Sequence, residues 1–129
     1  MAPMEREAMD AETFESIVVE ALDSLPPEFA HYLSNVEIQI EQRPTREHRR
    51  ELGLKPWQTL YGLYQGVPLT ERSGGSPLMP DLITLFQEPL ERDFLGREQL
   101  RAQVRRTLLH EIAHFFGISD ARLRDLDAY

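Results

Sequence analysis

Between Arg97 and Phe116 the chain carries an unbroken helical pattern, closed by Gly117. Leu100, Val104, Leu108, Ile112 and Phe115 recur at the spacing of one helix side, flanked by Leu109 and Phe116. Gly117 stands where a left-handed residue ends a helix. Near that end, the string HEIAHFFGISD places His110 and His114 four residues apart, with Glu111 directly after the first. At 3.6 residues per turn, positions i and i+4 share one face, one turn apart. The neighbours Leu108, Leu109, Ile112, Ala113, Phe115 and Phe116 are apolar, so part of this face is expected to be at least half buried. A buried glutamate between two histidines is costly without a partner.

Two imidazoles so placed can grip one metal ion, and the carboxylate of Glu111 then lies beside the ion rather than on it. HExxH on a helix is the zinc-hydrolase signature. Cysteine is absent, so any metal is held by His, Asp or Glu. A hydrolytic zinc takes three protein ligands and keeps one position for water. The third ligand is expected from Asp120, three residues after Gly117, in the string HExxHxxGxxD. A glycine suits the reversal between them, because a Cβ resists positive φ. Other readings stay open. Asp120 next to Ser119 is also an ordinary helix cap, and His48 or His31 is an alternative third ligand. Zinc lowers the pKa of bound water to near 7. Glu111 is the expected general base, and afterwards the general acid toward the leaving amine.

The chain has 129 residues, enough for one domain and one core. Residues 1–9 read as a frayed N-terminus and residues 10–129 as a single domain. The hydrophobic share of 41% and charged share of 28% are those of an ordinary soluble globule. The first residues, MAPMEREAMDAE, lack an apolar signal core, and no apolar run has membrane-spanning length. With no cysteine, the cytoplasm is the default compartment. A net charge of −8 argues against nucleic acid as the main partner. Two basic clusters, Arg43/Arg46/His48/Arg49/Arg50 and Arg97/Arg101/Arg105/Arg106, are expected to be solvated faces.

Asp10 is the expected cap of a first amphipathic helix carrying Phe14, Ile17, Val18, Ala21, Leu22 and Leu25. Pro26-Pro27 stops it and starts a short helix through Phe29 and Leu33. Val36, Ile38 and Ile40 alternate with polar residues, as in a strand with one wet face. Thr45 caps a short basic helix closing at Gly53. A second strand is read over Thr59 to Tyr64, with a turn or bulge at Gly66. Glu71 to Pro80 reads as a loop and Asp81 to Gln87 as a third strand. Pro89 is placed at the opening of a helical turn ending at Gly96. Ser119 to Ala128 reads as a short closing helix. The order implies an α+β fold, with a small, mostly antiparallel or mixed sheet of about three strands packed against helices.

HEIAHFFGISD resembles the motif of the zincin metallopeptidases, and its glycine and third ligand resemble the metzincin branch. More closely, the chain from about Phe14 to Leu126 is similar to the small bacterial zincin-like metallopeptidases, also called minimal metalloproteases. The resemblance rests on EALDSLPPEF, LYGLYQGVPLTERS, PDLITLFQEPL and the motif itself. It implies a zincin-like fold, one Zn²⁺ on His110, His114 and Asp120, and Glu111 as the catalytic residue. Metzincins place a methionine turn downstream of the motif. Here the last methionine is Met79 and 12 residues follow Gly117, so the lower half of the usual substrate cleft is expected to be missing.

A peptide held as an added strand along a sheet edge is the expected substrate mode. Leu82 to Gln87 is the expected edge, with Leu82 and Thr84 in contact with substrate and the Glu71 to Pro80 loop as a gate. Tyr61, Tyr64 and Arg72 are candidate oxyanion donors. The leading expectation is a zinc-dependent peptidase acting as a monomer on peptide or protein. A metal-bearing peptide- or protein-binding module with little or no proteolysis is the alternative. A non-peptide amide hydrolase is a third reading.

Overall fold

The computed structural model describes residues 10–66 and 80–125, apart from the side chain of Asp120. Helix α1 (Ala11–Asp23) begins where Asp10 Oδ1 accepts the Thr13 N–H at 2.8 Å. Its buried stripe is Phe14, Ile17, Val18 and Ala21. A 3₁₀ turn at Pro27–Phe29 leads into α2 (Ala30–Leu33), with Phe29 wholly buried. Strand β1 (Val36–Glu41) follows. Helix α3 (Arg46–Glu51) opens on a reciprocal cap. Thr45 Oγ1 accepts the His48 N–H at 3.0 Å, and His48 Nδ1 accepts the Thr45 N–H at 3.2 Å. Its far end is a Schellman turn: Gly53, at φ +64°, donates to Arg50 O at 3.1 Å, and Leu54 donates to Arg49 O at 2.9 Å.

The chain continues through β2 (Gly62–Gln65), β3 (Asp81–Phe86), α4 (Gln87–Asp93), α5 (Arg97–Phe116) and α6 (Asp120–Asp125). The second strand thus starts three residues later than the reading over Thr59 to Tyr64. Its ladder reaches back one residue further, because Phe86 N–H donates to Tyr61 O at 2.9 Å. Gln87 opens α4 rather than ending β3, so Pro89 lies within the first turn, where its missing N–H costs nothing.

Among the described residues the sheet is mixed and three-stranded, in the order β1-β3-β2. β1 and β3 are parallel, with Val36 opposite Asp81; β2 and β3 are antiparallel, with Leu63 opposite Thr84. This corrects the expectation that Leu82 to Gln87 is a sheet edge. β3 has a strand on each side, so its backbone groups have no open ladder to offer a peptide. Thr84 is 1% exposed. Among the described strands, the edge beside α5 is β2.

The core joins Phe14, Ile17 and Ala21 of α1, Ile83 and Leu85 of β3, and Leu100, Val104, Leu108 and Ile112 of α5, all fully buried. Two arginines of the expected wet face also reach across to α1 at the surface. Arg97 bonds Ser16 Oγ at 3.2 Å and pairs with Glu20, and Arg105 bonds Ser24 Oγ at 3.2 Å. No described helix is long and apolar enough to cross a membrane.

Candidate active site

β2 and α5 run side by side with matched pitch. Two strand residues advance about 6.6 Å and four helical residues about 6 Å. Gly62, Tyr64 and Gly66 therefore meet Thr107, Glu111 and Phe115 in turn. A Cβ on Gly62 would sit 2.7 Å from Thr107 Cγ2 and 3.3 Å from Thr84 O, and one on Gly66 would sit 2.6 Å from Phe115 Cζ. The two glycines let the strand backbone approach the helix closely. Between them, the Tyr64 N–H donates to Glu111 Oε1 at 2.9 Å.

The direction of that N–H follows from the ladder. In an antiparallel pair, residues alternate between bonding the partner strand and facing away. The Tyr61–Phe86 bond makes Leu63 and Gln65 the next residues facing β3. Tyr64 thus faces the side of β2 away from β3, and its N–H meets the carboxylate there. Burial pushes the Glu111 carboxyl above the usual range, against the smaller lowering by the Tyr64 N–H and the nearby His114.

His110 and His114 are both exposed, one turn apart near the end of α5. The helix ends as anticipated at Gly117, φ +73°, where Ile118 N–H donates to Ala113 O at 2.8 Å. Ser119 then caps α6: its Oγ accepts the Arg122 N–H at 3.1 Å. Asp120 opens α6 by its backbone, while its side chain lies outside what is described. Among the described side chains, no three of His, Asp or Glu converge as a metal cluster. His48, the alternative donor, is committed by Nδ1 to the α3 cap and packs its ring 5.6 Å from Phe86. The His31 ring lies 3.8 Å from Tyr32.

A cleft of about 550 Å³ opens beside Glu111 and His114, lined also by Leu52, Leu54, Leu60, Gly62, Leu63, Tyr64 and Phe115. Tyr64 therefore lines the cleft, but its hydroxyl donates to Asp81 Oδ2 at 2.8 Å and its ring stacks on Phe115 at 4.0 Å. Tyr61 donates to Asp93 Oδ2 at 2.5 Å and does not line it. Arg72 and the gating loop expected over Glu71 to Pro80 lie outside the described residues up to Met79. Phe115 and Phe116 are 48% and 41% exposed, so this end of the face is about half buried, as its apolar neighbours implied. By position 115 the helix has run past the core and faces β2 and Tyr32 instead. Leu52, Leu54, Leu60 and the Tyr64 N–H were not singled out by sequence. The glycine pair in YGLYQG was the available signal for the last.

An HExxH helix laid against the edge strand of a small mixed sheet defines a class: the α+β zincins. A model of the zincin-like metallopeptidase family matches residues 33–129, and the chain belongs to that family. No curated protein matches it significantly.

Proposed function

We propose that the protein is a zinc-dependent peptidase that cleaves peptide bonds in the cleft between α5 and β2. The observation that carries this reading is the position of Glu111: a carboxyl raised by burial, on the side of β2 away from β3, beside two exposed imidazoles of the same helix. The donors suit zinc, being two histidine nitrogens with a carboxylate to follow. His110, His114 and Asp120 would hold the ion. Ser119 already fills the cap of α6, which supports a role for Asp120 other than capping. Bound there, zinc supplies a Lewis acid that polarises a carbonyl and acidifies water.

The chain's own residues do the rest. The outward backbone of β2 accepts an extended peptide as an added strand. A peptide carbonyl at the Tyr64 N–H takes the place of the Glu111 carboxylate, which is then free to turn toward the scissile bond. Its raised pKa suits taking a proton from water and returning it to the leaving amine.

Elemental analysis of protein purified without chelator is expected to find one zinc per chain, lost in Asp120→Ala. Glu111→Gln is expected to keep the zinc and lose at least about 100-fold in peptide hydrolysis. Turnover of a peptide library by Glu111→Gln at the wild-type rate would remove Glu111 from the mechanism. Zinc with tight peptide binding and no hydrolysis in the wild type would instead favour a binding module.

A further inference from the structure

We propose that the cleft selects a peptide carrying a bulky aliphatic side chain next to the scissile bond, with the wall that reads it built by Leu52 and Leu54. The assignment rests on the peptidase reading above. Among the described residues, away from Glu111 and His114, the lining has no ionisable side chain other than the Tyr64 phenol, which is turned to Asp81. Leu52, Leu54, Leu60 and Leu63 remain partly open to solvent, Leu52 by 44%. An apolar side chain entering there removes both its own surface and theirs from water. A charged one loses hydration and, among the described lining residues, meets no counter-charge at the leucine end.

The wall is held in place rather than merely left exposed. Gly53 sits between the two leucines at φ +64°, and the Schellman turn fixes both at the end of α3. Leu54 begins a stretch that one guanidinium pins: Arg49 Nη2 donates to Lys55 O at 2.8 Å, Pro56 O at 3.3 Å and Gln58 O at 2.9 Å. Lys55 N–H also donates to Gln58 Oε1 at 2.8 Å. Such a wall needs little ordering when ligand arrives, which favours discrimination between side chains. Arg49 is a positioning residue for it.

The test uses the 129-residue chain carrying Glu111→Gln, with and without added zinc, titrated calorimetrically with three blocked hexapeptides. The peptides differ at one central residue, Leu, Gly or Glu. The Leu peptide is expected to bind at least about tenfold tighter than the other two. Leu54→Arg in the same background is expected to reverse the order in favour of the Glu peptide, a gain that misfolding cannot produce. Equal affinities, no measurable binding of the Leu peptide, or an unchanged order in Leu54→Arg would overturn the assignment. Cleavage by wild-type protein separates the two proposals. Indiscriminate cleavage of all three peptides sinks the pocket and leaves the peptidase standing. Selective binding of the Leu peptide without cleavage sinks the peptidase and leaves the pocket.

Discussion

At the scale of single residues, the contact between β2 and α5 is set by what is missing from Gly62 and Gly66. The two positions differ in what a methyl group would meet. At Gly62 it would press on Thr107 Cγ2, in a side chain that is 7% exposed and bonded to Gln103 Nε2 at 3.2 Å, and on the backbone of β3. At Gly66 it would press on the outer edge of the half-exposed Phe115 ring, which can swing. Gly62→Ala is expected to lower stability by about 1–3 kcal/mol, and Gly66→Ala by clearly less. Urea midpoints of the two variants compare them directly. Tyr61 offers a titration at the same scale. Burial first, and then its bond to Asp93, push its hydroxyl up to about 12. The unfolded chain releases that proton near pH ~10. The folded state therefore holds the proton longer, and its advantage is full below pH ~10 and lost as pH rises toward 12. Tyr61→Phe is expected to flatten the fall in stability across that window, as read by urea unfolding at stepped pH.

At the scale of elements, the helices were the most legible part. The bounds of α5 came from its apolar spacing and Gly117, and the start of α1 from Asp10, because caps and periodicity are local signals. Strand pairing is not local. DLITLF reads equally well as an edge or a centre until β1 and β2 are seen on either side of it, so nothing local to Leu82 and Thr84 marks them as central. The start of β2 is equally hidden, since Thr59 looks like a strand residue but is bonded by Arg92, next to Gln58 held by Arg49. The candidate site divides the same way. The trio His110, Glu111 and His114 was visible from spacing on one helix, whereas the leucine wall is joined to it only in three dimensions. The end of α3 yields a prediction of its own. Gly53 has open space around it, so a Cβ meets no atom, yet φ is +64°. Gly53→Ala is expected to cost about 1 kcal/mol from backbone strain alone. It should also loosen proteolytic protection around Leu54.

At the scale of the whole molecule, α5 serves two masters along its length. Its first turns are tied to α1 by Arg97 and Arg105, and its later turns set Glu111 against β2. A ligand at the far end of this helix is therefore coupled to the stability of the fold. If zinc binds the folded chain as proposed, holding it at 1,000 times its dissociation constant adds about 4 kcal/mol. A chelator is expected to lower the melting temperature of the wild type and to leave His110→Ala unmoved, as seen by scanning calorimetry. Equal shifts in both proteins would mean the metal acts elsewhere.

The Glu111–Tyr64 bond has a further consequence for handling the protein. A strand rim with a bare amide invites the same rim of another molecule. Here, on the side of β2 away from β3, an acidic stopper occupies that amide. Glutamine at 111 preserves an acceptor there, while alanine removes it. Glu111→Ala, a tempting inactive control, should therefore self-associate as its concentration rises in sedimentation runs, and Glu111→Gln should not.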